Sequence, residues 1–435
     1  MKEKYVKFCI FGLGLLFFLV LVLGKNIFTR FESPIFLVYL DSWVYYLLSG
    51  LFSLFYVGTM LLFNKFKKIK LLEFIIFSFI IASLFIIRIL LLDNKSFDYV
   101  TFLSPWVESL RKVSFRDFLL MNVGDYNFSY LYILFGLSKI SISSLYLIKM
   151  VSIIFDIVLA WTAAKIVGLF KEKDKWQNLV FVLVFSLPTV ILNSSSWGQC
   201  DTIYTTLVLL GLFLFFKNKP NWSMFCFGLS LSFKLQSIFI LPAIFFLFFE
   251  KKINIKNILF YVLGFLIPSI PPLIAGRGLI NTFNIYFTQV YSQNGLTWSA
   301  PTLWSVLVLP FRQFNLIAIL ITAMILVMVF YFHLLKKEKL NNINILNLFF
   351  LFSLIVPYFL PKMHERYFYL AEILSILYFI FNPKKWYFPL IVQICNLSNY
   401  LNFLYGGQIF PLNIGGILMG GLVFISLKEK FTIKQ

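Results

Sequence analysis

Apolar runs of about twenty residues recur along the whole chain, separated by short polar stretches, and each is long enough to cross roughly 30 Å of hydrocarbon as a helix. The pattern predicts spans at 9–24, 45–63, 71–92 and 145–170, then near 177–194, 202–217, 222–237, 238–250 and 256–274. A last group lies near 314–335, 344–360, 367–381, 386–404 and 411–427. The expected fold is therefore all-α, a polytopic bundle of about fourteen transmembrane helices with no soluble domain. The first run is followed by KNIFTRFESP, which lacks a small-residue cleavage pattern, so it is expected to persist as a helix. The spans on either side of residue 237 are short, and Lys234, Gln236 and Pro242 interrupt them, so one broken helix pair is expected here. Between Leu92 and Leu145, the stretch SPWVESLRKVSFRDFLLMNVGDYNFSYLYILFGL alternates apolar and polar residues at helical spacing, the mark of interfacial helices in a first large outer loop. A second outer loop, from Gly276 to about Arg312, contains NIYFTQVYSQNGLTWSAPTLW, rich in aromatic and amide side chains.

Composition agrees with a membrane protein: 60% of residues are hydrophobic, 20% aromatic and 13% charged. A net charge of +20 would suggest nucleic acid in a soluble protein, but its distribution points to the membrane instead. The clusters MKEKYVK, NKFKKIK, KEKDK, KNK, KKINIK, LKKEK, NPKK and KEKFTIK fall in every second loop and hold 23 of the 38 Lys and Arg. The positive-inside rule then puts both termini in the cytoplasm, with Lys67, Lys173 and Lys337 on that side and Leu92, Ser195 and Lys362 outside. No nucleic-acid partner is expected. Cys9, Cys200, Cys226 and Cys395 show neither metal-ligand nor paired-thiol spacing.

With this topology, FDYVTFLSPW, NVGDYNFSY, SSSWGQCD, the FKLQ break and PKMHERY all fall on the outer face. Wet loops favour polar residues generally, but these clusters set acidic, basic and aromatic groups together at helix ends, where charge is costly unless used. Asp98, followed by Tyr99 and Trp106, could act as a base at the membrane surface or cap an interfacial helix, and Asp93 competes for the first role. Asp125, with Tyr126 and Asn127, fits a turn as well as a binding site. Trp197, Gln199 and Asp201 stand at a helix boundary, where Asp201 could cap and Trp197 could anchor in the interface. Lys234, next to Gln236 in an apolar segment, calls for an anionic ligand or for snorkelling to the surface. His364, Glu365 and Arg366, with Tyr367 beside them, supply donors and a planar fork suited to phosphate, or form a solvated turn. Arg88, Lys149 and Asp156 lie within spans; Lys149 and Asp156, seven residues apart on one face, are expected to form a structural ion pair.

Taken in order, DYVTFLSPW, GDYN, SWGQCDTIY, FGLSLSFKLQSIFILP and PKMHERYFYLAEILSI resemble the motif series of the bacterial relatives of the second mannosyltransferase of GPI-anchor synthesis. That family belongs to the C-type (GT-C) superfamily of integral membrane glycosyltransferases. The resemblance spans roughly residues 71–382, leaving 1–70 as two additional N-terminal helices and 383–435 as C-terminal helices. It implies a polyprenyl-phosphate-linked sugar donor, an active site on the outer face of the bacterial cytoplasmic membrane, and an acidic base in the first large outer loop. Asp98 matches that position. The family's catalytic loop usually follows an early helix, whereas two helices precede it here, and the family does not fix mannose as the sugar.

The resulting expectation is inverting transfer to an unidentified glycan, lipid or protein acceptor. Asp98 would act as base, and Arg366, His364 and Lys234 would hold the lipid phosphate. Tyr99, Trp106, Asp125, Tyr126, Asn127, Trp197, Gln199, Asp201, Gln236, Glu365 and Tyr367 would line the substrate sites. No cofactor is implied; a divalent metal is compatible, but no compact oxygen-ligand cluster is visible. Two rivals remain. One is a transporter or flippase of lipid-linked sugars, which would place polar groups at the midplane in paired broken helices. The other is a surface-glycan ligase or polymerase sharing the donor chemistry.

Overall fold

A computed structural model describes residues 3–28, 42–64, 71–172, 174–291, 294–336 and 340–432. Lys67, Lys173 and Lys337 of the predicted cytoplasmic loops, and residues 29–41 after the first helix, lie outside the described residues. The described residues are all-α and 81% helical, and the protein is membrane-embedded. Helix occupies each of the predicted stretches, but they differ in length. Among the described residues, seven helices are long and apolar enough to cross a membrane, and eight if one bent pair counts as a span. The helix Phe311–Lys336 shows why such segments need lipid. Leu316, Leu320, Val327 and Tyr331 all stand exposed along it, while its backbone satisfies its own hydrogen bonds.

The chain forms two compact units. The first comprises residues 1–111 and 136–202. Its most buried long helix, Ser144–Gly168, packs against Asp174–Ser186. The ionic residues inside it differ from expectation, because Lys149 and Asp156 do not pair. Seven residues span about 10 Å of helix axis, and each side chain finds a nearer partner. Arg88, from the helix Leu71–Leu90, reaches Asp156 Oδ2 through Nη2 at 3.2 Å, with both side chains fully buried. Ser194 Oγ donates to the same oxygen at 2.7 Å, and Arg88 Nη2 also donates to the carbonyl of Phe185 at 2.9 Å. A second correction concerns the span near 177–194. It is not one rod but two helical pieces, Asp174–Ser186 and Pro188–Trp197, bent by 53°. Pro188 has no N–H to continue the first piece and suits the opening of the second.

The second unit comprises residues 112–135 and 203–435. Its closest helix crossing, Pro220–Phe233 on Ile255–Leu266, depends on two glycines. A Cβ on Gly228 would come within 1.9 Å of the Tyr261 carbonyl oxygen, and one on Gly264 within 2.2 Å of the Phe225 carbonyl oxygen. The predicted break is present but sits earlier: Lys234 is extended (φ −152°, ψ 132°), and a 3-10 turn, Leu235–Ile240, leads into Leu241–Phe249. The predicted second outer loop holds more order than expected, with a helix at Leu279–Tyr291 and a two-residue strand, Thr297–Trp298, parallel to Met363–His364. The predicted first outer loop resolves into short helical pieces, Tyr99–Leu103, Ser104–Arg111, Phe115–Leu120 and Phe128–Ser138.

Candidate functional site

In the first unit, the loop after Leu71–Leu90 is tied down before it reaches Asp98. Lys149 Nζ donates to the carbonyls of Leu91, Leu92 and Asn94 at 3.2, 2.7 and 2.6 Å, placing a cation on the carbonyl-rich end of that helix. Asn94 Nδ2 then donates to Ser196 Oγ at 2.8 Å, and Ser96 Oγ to the Trp197 carbonyl at 2.7 Å. Together these stitch the loop to the SSSW segment. Asp98 stands at the N-terminal boundary of the helical turn Tyr99–Leu103, yet its side chain makes no capping bond. Instead Trp197 Nε1 donates to Asp98 Oδ2 at 2.9 Å, and Gln199 Nε2 donates to the same oxygen.

Both donors are buried, Trp197 completely. Gly198 between them adopts φ 77°, a left-handed conformation that reverses the chain after Trp197 and that glycine adopts without strain. Ser152 Oγ holds the Gln199 carbonyl at 2.7 Å. A hydrogen bond to a charged group is worth about 1.5–3 kcal/mol, so two on one oxygen fix the direction of a half-buried carboxylate. The competing Asp93 is engaged differently, accepting from the Tyr146 hydroxyl at 2.6 Å.

The other predicted residues of this unit separate from that trio. The Tyr99 hydroxyl bonds Ser144 Oγ at 3.0 Å inside the unit. Asp201 is fully buried and accepts from Asn193 Nδ2 at 2.9 Å. Trp106 packs on Phe102 with ring centroids 5.9 Å apart.

In the second unit, residues from GDYN, FKLQ and HERY form a chain of contacts. The extended backbone at Lys234 leaves its side chain buried, with Nζ 6.0 Å from the centre of the Tyr126 ring. Asp125 is exposed, and its carbonyl accepts from Gln289 Nε2. Asn127 Nδ2 donates to the Tyr286 hydroxyl at 2.5 Å, while burial pushes that phenol's pKa up. Arg277 fastens the residues just before this turn, donating to the Met121 carbonyl and Asn122 Oδ1, both at 2.5 Å. Gln236 Oε1 and Ser237 Oγ, on the 3-10 turn, are buried without a hydrogen-bond partner in the protein. Buried polar atoms of that kind call for an explanation, and a bound ligand is one. From the same turn, Phe239 meets Tyr367 at 6.2 Å, and Tyr367 meets His364 at 5.2 Å between ring centres.

Glu365 is nearly inaccessible and lies between His364 Nδ1 at 3.6 Å and Arg366 Nη1 at 2.8 Å. Burial pushes its carboxyl up, but the hydrogen bond from His364 and the charge of Arg366 outweigh that and hold the pKa below its ordinary value. Glu365 therefore orients both neighbours, and one edge of the Arg366 fork is already used by it. Among the described residues, no group of three or more His, Cys, Asp and Glu is placed to hold a metal ion.

Two features escaped the sequence reading. Trp298, on the strand Thr297–Trp298, lies nearly parallel to the His364 ring, 12° off and 6.2 Å between centres. Asn94 and Ser96 tie the Asp98 loop to SSSW through contacts about a hundred residues apart in sequence. A two-residue strand has no periodicity to detect, although the TWSAP stretch did stand out for its aromatic content. The chain matches no protein-family model, and no curated protein matches it.

Proposed function

We propose that this protein is a membrane glycosyltransferase of the C-type class, similar to the bacterial relatives of the second mannosyltransferase of GPI-anchor synthesis. It would transfer a sugar, with mannose as one candidate, from a polyprenyl-phosphate donor to a glycan, lipid or protein acceptor. About fourteen crossings, cytoplasmic termini and a reaction at the outer face of a bacterial cytoplasmic membrane belong to the same reading. The observation that carries it is the convergence of Trp197 and Gln199 on one oxygen of Asp98. A lone carboxylate at a loop is unremarkable; one clamped by two buried donors at a helix end is built for a directed proton transfer.

In this reaction Asp98 takes the proton of an acceptor hydroxyl, whose oxygen attacks the anomeric carbon. The bond from that carbon to the phosphate oxygen breaks, the configuration inverts, and polyprenyl phosphate leaves with the bonding pair. Charge on that phosphate grows as the bond breaks, so preplaced cations stabilise the transition state more than the ground state. Arg366, with His364 and Lys234, is assigned that role, and Glu365 orients the first two.

A transporter of lipid-linked sugars is the second reading, and one observation favours it: the bend at Leu187 adds a second broken helix to the one at Lys234. Purified protein in liposomes, supplied with a labelled polyprenyl-phosphate sugar and membrane glycolipids as acceptors, separates the two. Release of polyprenyl phosphate with a new glycoconjugate supports transfer, whereas transbilayer movement of intact donor without cleavage supports transport.

A further inference from the structure

Trp298 is held in an unusual way for a surface tryptophan. It is 45% exposed, which by itself would suit an anchor in the membrane interface. An interfacial anchor, however, needs no fixed orientation, and this indole has one. Its strand, Thr297–Trp298, pairs in parallel with Met363–His364, and Ser299 bridges to His364. Two non-glycine residues at this junction, Ser299 (φ 56°) and Lys362 (φ 67°), adopt the left-handed conformation that such residues avoid. The Lys362 N–H is fastened to the Leu296 carbonyl at 2.8 Å. Strain of this kind persists where surrounding contacts demand it, and it clusters at ligand sites.

Gly295 supplies a further constraint. A Cβ there would lie 2.9 Å from Trp298 Nε1, so the glycine makes room for the ring. The outcome is an indole and an imidazole within 12° of parallel, with Tyr367 against the far partner, beside the buried Glu365 and its Arg366.

We infer that Trp298 and His364 form a carbohydrate-binding platform, on which the apolar C–H face of a pyranose ring rests. Aromatic faces carry negative charge density, and the axial C–H bonds of a sugar ring present the complementary positive edge. The inference rests on the glycosyl-transfer reading and names the ligand class of one part of that site. The ring could come from the donor's sugar or from an acceptor glycan, which share this chemistry.

The test uses the full chain purified in detergent, with two probes: a soluble mannotriose, and a short-chain polyprenyl-phosphate mannose. Binding of each is followed by saturation-transfer NMR on the wild type and on Trp298→Ala, Trp298→Phe and Gly295→Ala. Trp298→Ala is expected to weaken one or both probes about five- to tenfold, Trp298→Phe to retain most of the affinity, and Gly295→Ala to weaken it by displacing the indole. Loss confined to the phosphate-bearing probe assigns the ring to the donor, and loss with mannotriose assigns it to the acceptor. Unchanged binding of both probes in Trp298→Ala overturns the platform, whatever happens to protein yield. Failure here is distinct from failure of the parent reading. Transfer that proceeds with Trp298→Ala binding unchanged sinks the platform alone, and sugar binding by a protein that never cleaves the donor sinks the transferase alone.

Discussion

Replacing Asp156 with asparagine removes one charge from an ion pair that has no access to solvent. Arg88 and Asp156 are both completely buried, 3.2 Å apart. Breaking such a pair by removing one partner typically costs about 3–5 kcal/mol, because the remaining charge is left uncompensated. Arg88 keeps some support: it donates to the carbonyls of Phe185 at 2.9 Å and Leu84 at 3.3 Å, and its guanidinium lies 3.8 Å from the centre of the Phe185 ring. That places the expected cost of Asp156→Asn at the lower end, about 3 kcal/mol, or a little over a hundredfold in the folding constant. For a unit of this size the melting temperature falls by about 2–4 °C per kcal/mol, which gives a drop of roughly 6–12 °C. The double variant Arg88→Met with Asp156→Leu removes both charges and should recover most of the loss.

A thiol-reactive dye reports the transition, since the thiols of Cys200, Cys226 and Cys395 are buried while Cys9 is exposed and supplies the baseline. Melting of Asp156→Asn within about 2 °C of wild type would refute the reasoning. So would a double variant no more stable than the single one. Because Ser194 shares the Asp156 oxygen and precedes Trp197 on the same segment, Asp156→Asn should also lower transfer activity below the melting range.

Arg366→Lys keeps the charge but loses the planar fork, so transfer should fall nearly as far as in Arg366→Ala, roughly a hundred- to a thousandfold. Wild-type kinetics in Arg366→Lys would show that charge alone suffices. Glu365 predicts an acid limb of stability. Its folded pKa lies below the ordinary value, so its contribution is complete above the unfolded pKa, near 4.3, and is lost as pH falls through the folded value. Melting of the wild type between pH 7 and 3, compared with Glu365→Gln, should show that limb in the wild type only.

The helices were legible because lipid imposes one demand on every span, an apolar surface about twenty residues long. The break at Lys234 was legible for the converse reason, since a lysine and a glutamine interrupt two runs already too short. The bend at Leu187 was not, because the stretch FSLPTVIL carries no charge to mark a boundary and a proline can open a helix as readily as it stops one. Lys149 and Asp156 were misjudged for a related reason. Face-sharing along one helix can be read from spacing, but an arginine arriving from another helix cannot. Motif order singled out Asp98, Trp197 and Gln199 individually, yet nothing in their spacing required two donors to meet on a single oxygen. The parallel contact of Trp298 with His364 could not be read from the sequence at all, since it depends on two-residue strands and on two residues in left-handed conformation.

The central claim is that Asp98 is the base of a sugar transfer, and Asp98→Asn tests it most directly. Asparagine keeps the size and an oxygen that can still accept from Trp197 and Gln199, while removing the group that takes the proton. With purified protein and a synthetic polyprenyl-phosphate sugar, the account predicts a rate at least about a hundredfold below wild type in a protein that still folds, and a mild effect for Asp93→Asn. An active Asp98→Asn beside an inactive Asp93→Asn would contradict it.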